Sequence, residues 1–353
     1  MNGNNLFPGR ANLLEVKHLK VSFSVPKGRL HAVRDVSFSL GSGECLCMVG
    51  ESGCGKSVTV QSMLGILPVP PAQIDGGQAV LRGVDLIGLS ARQRRNILGK
   101  DIGIIFQDPL ASLNPTMTLQ DQIAEMLLVH TRLDRSGRRR RVIELLGLVG
   151  FPEPVSQLHR YPHELSGGMR QRLMIAIAIA CNPEILIADE PTSALDVSIQ
   201  AQILKLIRQL AQQLGMSTIL ITHDLGVVAQ MAERVAVMYA GKIVEEGLVD
   251  VIFYEPKHPY TAALLRAMPR RSSNEPLEYI TGSPPDLFSP PPGCSFAGRC
   301  LHAMKICHCI EPEEIDFSGG RVSCWLHHDL AERRRCDSGI TWSQETLPGR
   351  AGL

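Results

Sequence analysis

One stretch decides the fold class of this chain: Gly50-Glu51-Ser52-Gly53-Cys54-Gly55-Lys56-Ser57. It fits the pattern G-x-x-x-x-G-K-[ST], in which glycines let successive backbone N–H groups turn toward one anion. The apolar run 45–49 before it predicts a strand, and the apolar spacing over 58–67 after it predicts a helix. This order is typical of a phosphate-binding loop, because the helix N-terminus adds favourable partial charge. We expect Lys56 to reach the outer phosphates of a nucleotide and Ser57 to hold Mg²⁺.

Strand and helix patterns alternate on both sides of this loop. Short strands are predicted within residues 13–50, and helical stretches near 197–214 and 224–232. Further strand-like runs follow the loop at 102–106, 185–188, 219–222 and 235–238. This alternation predicts an α/β fold in which helices flank a parallel sheet and a helical insertion separates two of its strands.

Two carboxylates follow the predicted strand 185–188. Asp189 and Glu190 would stand at the carboxyl edge of the sheet, where α/β proteins bind their ligands. Asp189 is suited to orient Mg²⁺ or its waters, and Glu190 to polarise an attacking water as a general base. Paired acids at a strand end can also form a solvated turn, but the phosphate-binding loop upstream favours the catalytic interpretation.

Three more polar residues occupy comparable positions. Gln107 and His223 each follow a predicted strand, and Asp196 lies shortly after Glu190. Each could face the terminal phosphate of a nucleotide, although a single histidine at such a place is more often structural.

The segment Leu165-Ser166-Gly167-Gly168 opens a predicted helix and offers a second anion-binding N-terminus. A helix start without a binding role is the plainer alternative. Two such N-termini more than a hundred residues apart could clamp one nucleotide only if the fold brings them together or a second subunit supplies one. The sequence leaves both possibilities open.

The composition is that of a globular protein. The chain has 353 residues, 44% of them hydrophobic, and 36 Lys and Arg against 35 Asp and Glu, for a net charge of +1. This balance offers no general attraction to phosphate backbones or anionic lipid. The longest apolar run is about half of the roughly 18 to 20 residues that a spanning helix needs. We therefore expect a cytosolic chain with no nucleic-acid partner and no membrane span of its own.

Taken as an ordered set, these motifs resemble the ATP-binding subunits of ABC transporters over about residues 13–265. The resemblance implies an α/β P-loop cassette with a mixed sheet core, a helical subdomain at about 112–181, and hydrolysis of ATP with Mg²⁺. It implies that cassettes pair head to tail, with ATP between the P-loop of one and the Leu-Ser-Gly-Gly segment of the other. The catalytic residues that it implies are Glu190, His223 and Gln107, and the Mg²⁺ ligands are Ser57, Gln107 and Asp189. The nucleotide-binding residues that it implies are Phe23, which would stack on adenine, Gly50, Ser52, Gly53, Cys54, Gly55, Lys56, Ser57, Val58, Ser166, Gly167, Gly168 and Asp196.

Two segments indicate which group of ABC transporters the chain resembles. Residues 106–115 and 258–265 look like the forms found in importers of dipeptides and oligopeptides. The implied function is ATP hydrolysis that energises peptide import. Import of nickel or another small solute is an alternative, and a soluble ABC ATPase outside transport is a more distant one. The implied partners are a second homologous ATPase subunit, two transmembrane permease subunits and an extracytoplasmic solute-binding protein, which would place the chain at the cytoplasmic face of the membrane.

The composition of the sequence changes after about residue 256, where prolines and then cysteines accumulate. We predict an ATP-binding cassette over 13–270, a small cysteine-containing C-terminal module over 271–330, and a flexible tail over 331–353.

Four cysteines of this module are separated by gaps of 5, 6 and 16 residues: Cys294, Cys300, Cys307 and Cys324. Four thiolates suit tetrahedral Zn²⁺ or a [4Fe–4S] cluster. Zinc modules favour shorter pairs, and relatives of this group carry a cluster, so we predict iron–sulfur with zinc as the alternative. Free thiols stay open, as does mixed ligation by histidines of the same region: His302, His308, His327 and His328.

Overall fold

The structure, a computed structural model, describes residues 11–193, 195–268 and 279–328. Its strands are β1 (Asn12–Val25), β2 (Gly28–Gly41), β3 (Cys45–Val49), β4 (Ala72–Leu81), β5 (Val84–Asp85), β6 (Ile102–Ile105), β7 (Ile185–Asp189), β8 (Ser217–Thr222), β9 (Arg234–Tyr239), β10 (Lys242–Leu248), β11 (Ile315–Phe317) and β12 (Gly320–Val322).

Helices connect most of these strands. The α-helices are α1 (Lys56–Met63), α2 (Ala91–Ile97), α3 (Pro109–Ser112), α4 (Leu119–His130), α5 (Arg135–Leu148), α6 (Pro154–Gln157), α7 (Gly167–Ala178), α8 (Val197–Leu214), α9 (Leu225–Met231), α10 (Val249–Tyr254), α11 (Pro259–Arg266) and α12 (Lys305–Cys309). Short 3-10 helices cover Pro162–Glu164, Ala297–Arg299 and Trp325–His327. No helix in this described part of the chain is both long and apolar enough to cross a bilayer.

The larger sheet has the strand order β11-β12-β10-β9-β3-β8-β7-β6. The strands from β9 to β6 are parallel, whereas β10, β12 and β11 add to β9 as antiparallel neighbours. Every residue of β7 and β8 is buried, as expected of parallel strands covered on both faces. The predicted α/β fold with a mixed sheet is therefore confirmed, and the parallel part coincides with the predicted strands.

A second sheet packs against one face of the first. Its order is β2-β1-β4-β5, and all of its pairs are antiparallel. Leu14, Val36 and Leu40 of this sheet share one apolar cluster with Met48 and Ile187 of the larger sheet. The sequence pattern predicts β1 and β2 but not β4, which contains the polar and glycine-rich stretch Gln73 to Gln78.

Helix α8 covers the opposite face of the larger sheet. It buries Ile203, Leu204, Ile207 and Leu210, a spacing that places them on one side of a helix. The helix ends at Gly215, whose φ of 66° is left-handed, the usual conformation of a glycine that terminates a helix. The predicted helix over 197–214 is therefore confirmed.

Helices α3 to α7 lie between β6 and β7 in the chain. They account for the helical insertion that the sequence predicts over about 112–181. Their separation as a subdomain stays a prediction. The insertion ends with α7, so the Leu-Ser-Gly-Gly segment stands at the start of the helix that returns the chain to the sheet.

The C-terminal hairpin β11–β12 extends the larger sheet. Glu245, Glu246 and Gly247 of β10 pair with Val322, Arg321 and Gly320 of β12. The hairpin therefore shares a sheet with the cassette, while the predicted boundary near residue 270 and the predicted tail 331–353 lie outside the described residues.

Ion pairs, most of them buried, stabilise this edge of the sheet. Arg234 donates to Glu44 Oε1 and to Glu246 Oε1, both at 2.6 Å. Arg321 donates from Nε to Glu246 Oε2 at 2.9 Å and from Nη1 to Glu314 Oε1 at 2.9 Å. The Glu246 side chain is only 1% exposed, so it needs both guanidinium partners to offset the loss of water.

Candidate active site

The loop between β3 and α1 depends on glycine at two points. Gly50 has φ 153°, and a Cβ there would lie 2.1 Å from the Met238 carbonyl oxygen. Gly55 has φ 104°, and a Cβ there would lie 2.6 Å from the Ala32 carbonyl oxygen. The backbone passes close to its neighbours at both positions, and both φ values are positive, so neither position admits a side chain.

Lys56 lies across this loop. Its Nζ donates to the carbonyl oxygens of Gly50 at 2.9 Å and Glu51 at 3.0 Å, and it lies 3.7 Å from Cys54 Sγ. An ammonium group has three N–H donors. Two of these donors bind carbonyl oxygens of the loop. The third makes only the long contact to sulfur, so it can donate to a phosphate oxygen instead.

Ser57 connects the loop to β7. Its hydroxyl donates to Asp189 Oδ1 at 2.8 Å. Burial raises the pKa of Asp189, and the charge of Glu190 raises it further, while the Ser57 hydrogen bond and Lys56 act in the opposite direction. A hydroxyl and a buried carboxylate in contact are oxygen ligands of the kind that Mg²⁺ prefers, and a cation would relieve the desolvated charge of Asp189.

Glu190 is held between two residues from neighbouring strand ends. Gln107 Nε2 donates to Glu190 Oε2 at 3.1 Å, and His223 Nδ1 lies 3.3 Å from Glu190 Oε1. The three residues follow β6, β7 and β8, which are adjacent in the sheet. Gln107, Glu190 and His223 are therefore brought together, and their catalytic roles stay predictions.

The remaining predicted residues of the loop differ in exposure. Ser52 and Gly53 are exposed, Val58 is half-buried and Cys54 is buried. Burial is the main cause of the raised pKa of Cys54, so this thiol fills space beneath the loop and is not an activated nucleophile.

Phe23 lies on β1, opposite the strand whose Ala32 approaches the loop. It is half-buried on β1 and pairs with Leu30 of β2, two residues from Ala32, whose carbonyl oxygen lies against Gly55. Its half-buried ring leaves some surface exposed, and the predicted stacking on adenine stays a prediction.

The Leu-Ser-Gly-Gly segment is not joined to the P-loop. Ser166 caps α7, accepting from Met169 N at 3.4 Å. Ser166 and Gly167 are exposed and Gly168 is half-buried. Across residues 11–193, 195–268 and 279–328, no hydrogen bond links the segment to residues 50–57.

Asp196 is also exposed. It occupies the N-cap position of α8, yet its side chain makes no capping hydrogen bond, and the next residue, Val197, is 83% exposed. The starts of α7 and α8 are therefore both exposed.

Comparison with known proteins matches two regions of the chain to families. Residues 33–193 match the family described as ABC transporter, and residues 244–307 match the family described as oligopeptide/dipeptide transporter, C-terminal region. The chain is 52% identical over 322 residues to the dipeptide transport ATP-binding protein DppD of Bacillus subtilis (strain 168), covering 91% of this chain and 96% of that protein. It is also 52% identical over 324 residues to the oligopeptide transport ATP-binding protein OppD of the same organism, covering 91% and 90%. The chain belongs to the ATP-binding subunits of dipeptide and oligopeptide ABC transporters.

A solved structure supports the fold of this ABC subunit. The dimeric, post-hydrolysis state of the ATP-binding cassette MJ0796, bound to ADP and Pi, superposes with a TM-score of 0.60 at 26% identity. The match covers 67% of this chain and 98% of that chain. The predicted ABC cassette is thus confirmed.

Sequence reasoning missed two residues that contact the P-loop of this ABC subunit, Arg299 and Tyr260. Arg299 forms two hydrogen bonds with the carboxylate of Glu51, and the hydroxyl of Tyr260 accepts from Glu51 N at 2.9 Å. Arg299 and Glu51 are 248 positions apart. No local pattern marks such a pair, although Glu51 stands inside the motif and Arg299 stands beside one of the predicted cysteine ligands.

The four predicted cysteines of the ABC subunit line one small cavity. Cys294, Cys300, Cys307 and Cys324 share it with His258. Burial raises the pKa of Cys294 to about 12 and that of Cys324 to about 11, and the other thiols of the group contribute in the same direction. In the described residues no group of three or more His, Cys, Asp or Glu side chains is arranged closely enough to hold a metal ion. The structure brings the four thiols together without forming a finished coordination site.

Proposed function

We propose that this chain binds and hydrolyses Mg-ATP as the energy-supplying subunit of a peptide importer. The observation that carries the proposal is the meeting of two groups of residues at one edge of the sheet. Lys56, Ser57 and Asp189 form a phosphate and cation side, and Glu190 is oriented beside them. Membership in the dipeptide and oligopeptide family supports peptides as the transported solute.

The residues of the site divide the chemistry between them. Ser57 and Asp189 would hold Mg²⁺, which would supply charge stabilisation at the terminal phosphate. Lys56 neutralises phosphate oxygens as a point charge. Glu190 takes a proton from the attacking water, and its contacts with Gln107 and His223 fix the direction in which its carboxylate points.

We infer that a second ATPase subunit completes the nucleotide site. The exposed Ser166, Gly167 and Asp196 make no hydrogen bond to the P-loop of their own chain within the described residues, so they are available to the P-loop of a partner. Binding of ATP between two such surfaces would favour a closed pair, and loss of the terminal phosphate would favour opening.

Further partners follow from peptide import as the proposed function. Two membrane-embedded permease subunits would form the path, and a solute-binding protein outside the membrane would deliver the peptide. The chain itself would then lie at the cytoplasmic face of the membrane as a peripheral subunit.

The exchange Glu190→Gln tests the hydrolytic role. The amide cannot accept a proton, so we expect turnover to fall by about 10² to 10⁴-fold while bound ATP is retained. Phosphate release and retention of labelled ATP measure the two effects. Glu184→Gln is the matched control, because Glu184 makes an exposed pair with Arg82 near the opposite end of β7. Unchanged turnover in the Glu190 variant would remove this residue from the general-base role.

We also propose that the four-cysteine cavity binds a metal centre and that residues 271–330 act as a module carrying it. Two features support the fit: four thiols line one cavity, and His258 Nε2, buried beside them, has no hydrogen-bond partner among the described residues. His258 Nδ1 accepts from Tyr260 N at 3.0 Å, so in the neutral ring Nε2 carries the proton and can donate to a sulfur. An iron–sulfur cluster is the predicted occupant and zinc the alternative. Either requires the cysteine side chains to rotate into coordination geometry.

A further inference from the structure

Arg299 forms an ion pair with Glu51 of the P-loop. It belongs to the C-terminal segment, the described residues 279–328. It donates from Nη1 to Glu51 Oε2 at 2.8 Å and from Nη2 to Glu51 Oε1 at 2.9 Å. Two parallel bonds of this kind give the strongest and most directional pairing between a guanidinium and a carboxylate. The Arg299 side chain is 6% exposed and that of Glu51 is 26% exposed. Solvent therefore screens this pair less than a surface salt bridge.

Arg299 is fixed by its other contacts. Its Nε donates to Thr281 O at 3.1 Å, its Nη2 to Ile280 O at 3.3 Å and its Nη1 to Tyr239 Oη at 3.2 Å. Because backbone carbonyls of the C-terminal segment hold the guanidinium, the ion pair restrains Glu51 and does not simply follow its motion.

A second side chain fixes the backbone of the same residue. The Tyr260 hydroxyl accepts from Glu51 N at 2.9 Å, and the Tyr260 ring is fully buried at 5.3 Å from the Phe296 ring. The carbonyl oxygen of Glu51 in turn accepts from Lys56 Nζ at 3.0 Å. A displacement of Glu51 therefore moves a hydrogen-bond partner of the phosphate-binding lysine.

We propose that Arg299 is a positioning residue through which the C-terminal segment sets the conformation of the P-loop and its affinity for nucleotide. The inference rests on the proposed binding of ATP at this loop. Arg299 acts through Glu51 and Lys56. It also ends the 3-10 helix Ala297–Arg299 that Cys294 and Cys300 flank, so a rearrangement of the four-cysteine cavity would reach the nucleotide site through this side chain.

The test compares nucleotide affinity in the full-length chain, by titration with a fluorescent N-methylanthraniloyl derivative of ATP. We expect Arg299→Gln and Glu51→Gln each to raise the dissociation constant by about 2- to 30-fold. The double variant should bind no more weakly than the weaker single variant, because both changes remove the same contact. Arg299→Lys keeps the charge and should recover part of the affinity.

Arg34→Gln is the matched control. Arg34 Nη1 donates to Ser295 Oγ at 2.7 Å, so this variant removes another bond between the cassette and the C-terminal segment without touching Glu51. Its affinity should equal that of the wild type. An unchanged dissociation constant in Arg299→Gln, or multiplicative effects in the double variant, would overturn the inference.

Two further measurements keep the outcomes separate. Circular dichroism reports whether each variant folds, and if Arg299→Gln does not, Glu51→Gln and Arg299→Lys decide the question. Lys56→Ala should abolish binding. A wild-type chain that fails to bind the analogue would refute the proposed function, whereas equal binding by wild type and Arg299→Gln would refute only the positioning role.

Discussion

At the scale of single residues, Glu190 combines a proposed catalytic role with an uncommon backbone conformation. Its φ of 44° lies in the left-handed region, which residues with a side chain rarely adopt. Such a conformation costs of order 1–3 kcal/mol and persists where the surroundings fix it. Here the backbone N–H donates to Ile221 O at 2.9 Å, and the side chain lies between Gln107 and His223. The strain accompanies the placement of a carboxylate at the strand end.

The strain can be separated from the chemistry by two substitutions. Glu190→Gly and Glu190→Ala both remove the carboxylate, so both should lose hydrolysis. Only glycine adopts the left-handed conformation without strain. We therefore expect the free energy of unfolding of the glycine variant to exceed that of the alanine variant by about 1 kcal/mol. Urea unfolding of the two proteins measures the difference. A glycine variant no more stable than the alanine variant would show that the conformation carries no strain.

The residues of the site differ in how far the sequence predicts them. Gln107, Glu190 and His223 could be expected to converge, because each follows an apolar run that forms one of three adjacent parallel strands. The pairing of Glu51 with Arg299 could not, because it depends on the return of a distant segment to the P-loop. The four cysteines are predicted in part. Their spacing indicates a shared site, but it does not give the side-chain conformation of each cysteine.

At the scale of elements, the short hairpin β11–β12 is stabilised by ion pairs as well as by backbone pairing. Only three residues of each strand pair, and Arg321 supplies bonds to Glu246, to Glu314 and, at 2.6 Å, to the Ser37 carbonyl oxygen of β2. One side chain thus ties the hairpin to both sheets.

Arg321→Met should therefore destabilise the chain. The substitution leaves the buried Glu246 with one guanidinium instead of two, and removing a partner from a buried pair costs about 3 kcal/mol. The free energy of unfolding in urea is the measurement. Lys17→Met serves for comparison, because Lys17 and Glu15 form an exposed pair of the kind that contributes about 0–1 kcal/mol. Equal losses in the two variants would contradict the importance of the buried network.

Elements with strong apolar patterns were predictable, and those stabilised by distant polar contacts were not. The parallel strands β3, β6, β7, β8 and β9 are short apolar runs, which favour buried strands whatever their neighbours. Strand β10 contains Glu245 and Glu246, both buried. A sequence pattern assigns such charges to the surface, and only the arginines and backbone donors of other elements make their burial tolerable.

At the scale of the whole molecule, the proposed metal centre predicts a spectroscopic property of the intact chain. Protein purified without oxygen should be brown and contain about four irons per chain if the four thiolates hold a [4Fe–4S] cluster. Cys294→Ser should lose the iron and the visible absorbance, whereas Cys181→Ser, a change to a cysteine far from this cavity in the sequence, should keep both. Stoichiometric zinc without iron would establish the alternative, and no metal at all would leave the four residues as thiols.

The pairing of β12 with β10 has a consequence for shortened forms of the chain. Without residues 315–322, the N–H and C=O groups of Glu245 to Gly247 would lose their β12 partners and form an open border of an otherwise apolar sheet. Unprotected borders of this kind recruit strands from other molecules, and folded proteins normally cover or interrupt them. Fragments that lack the C-terminal hairpin should therefore self-associate. In the intact chain the hairpin protects this sheet edge from aggregation.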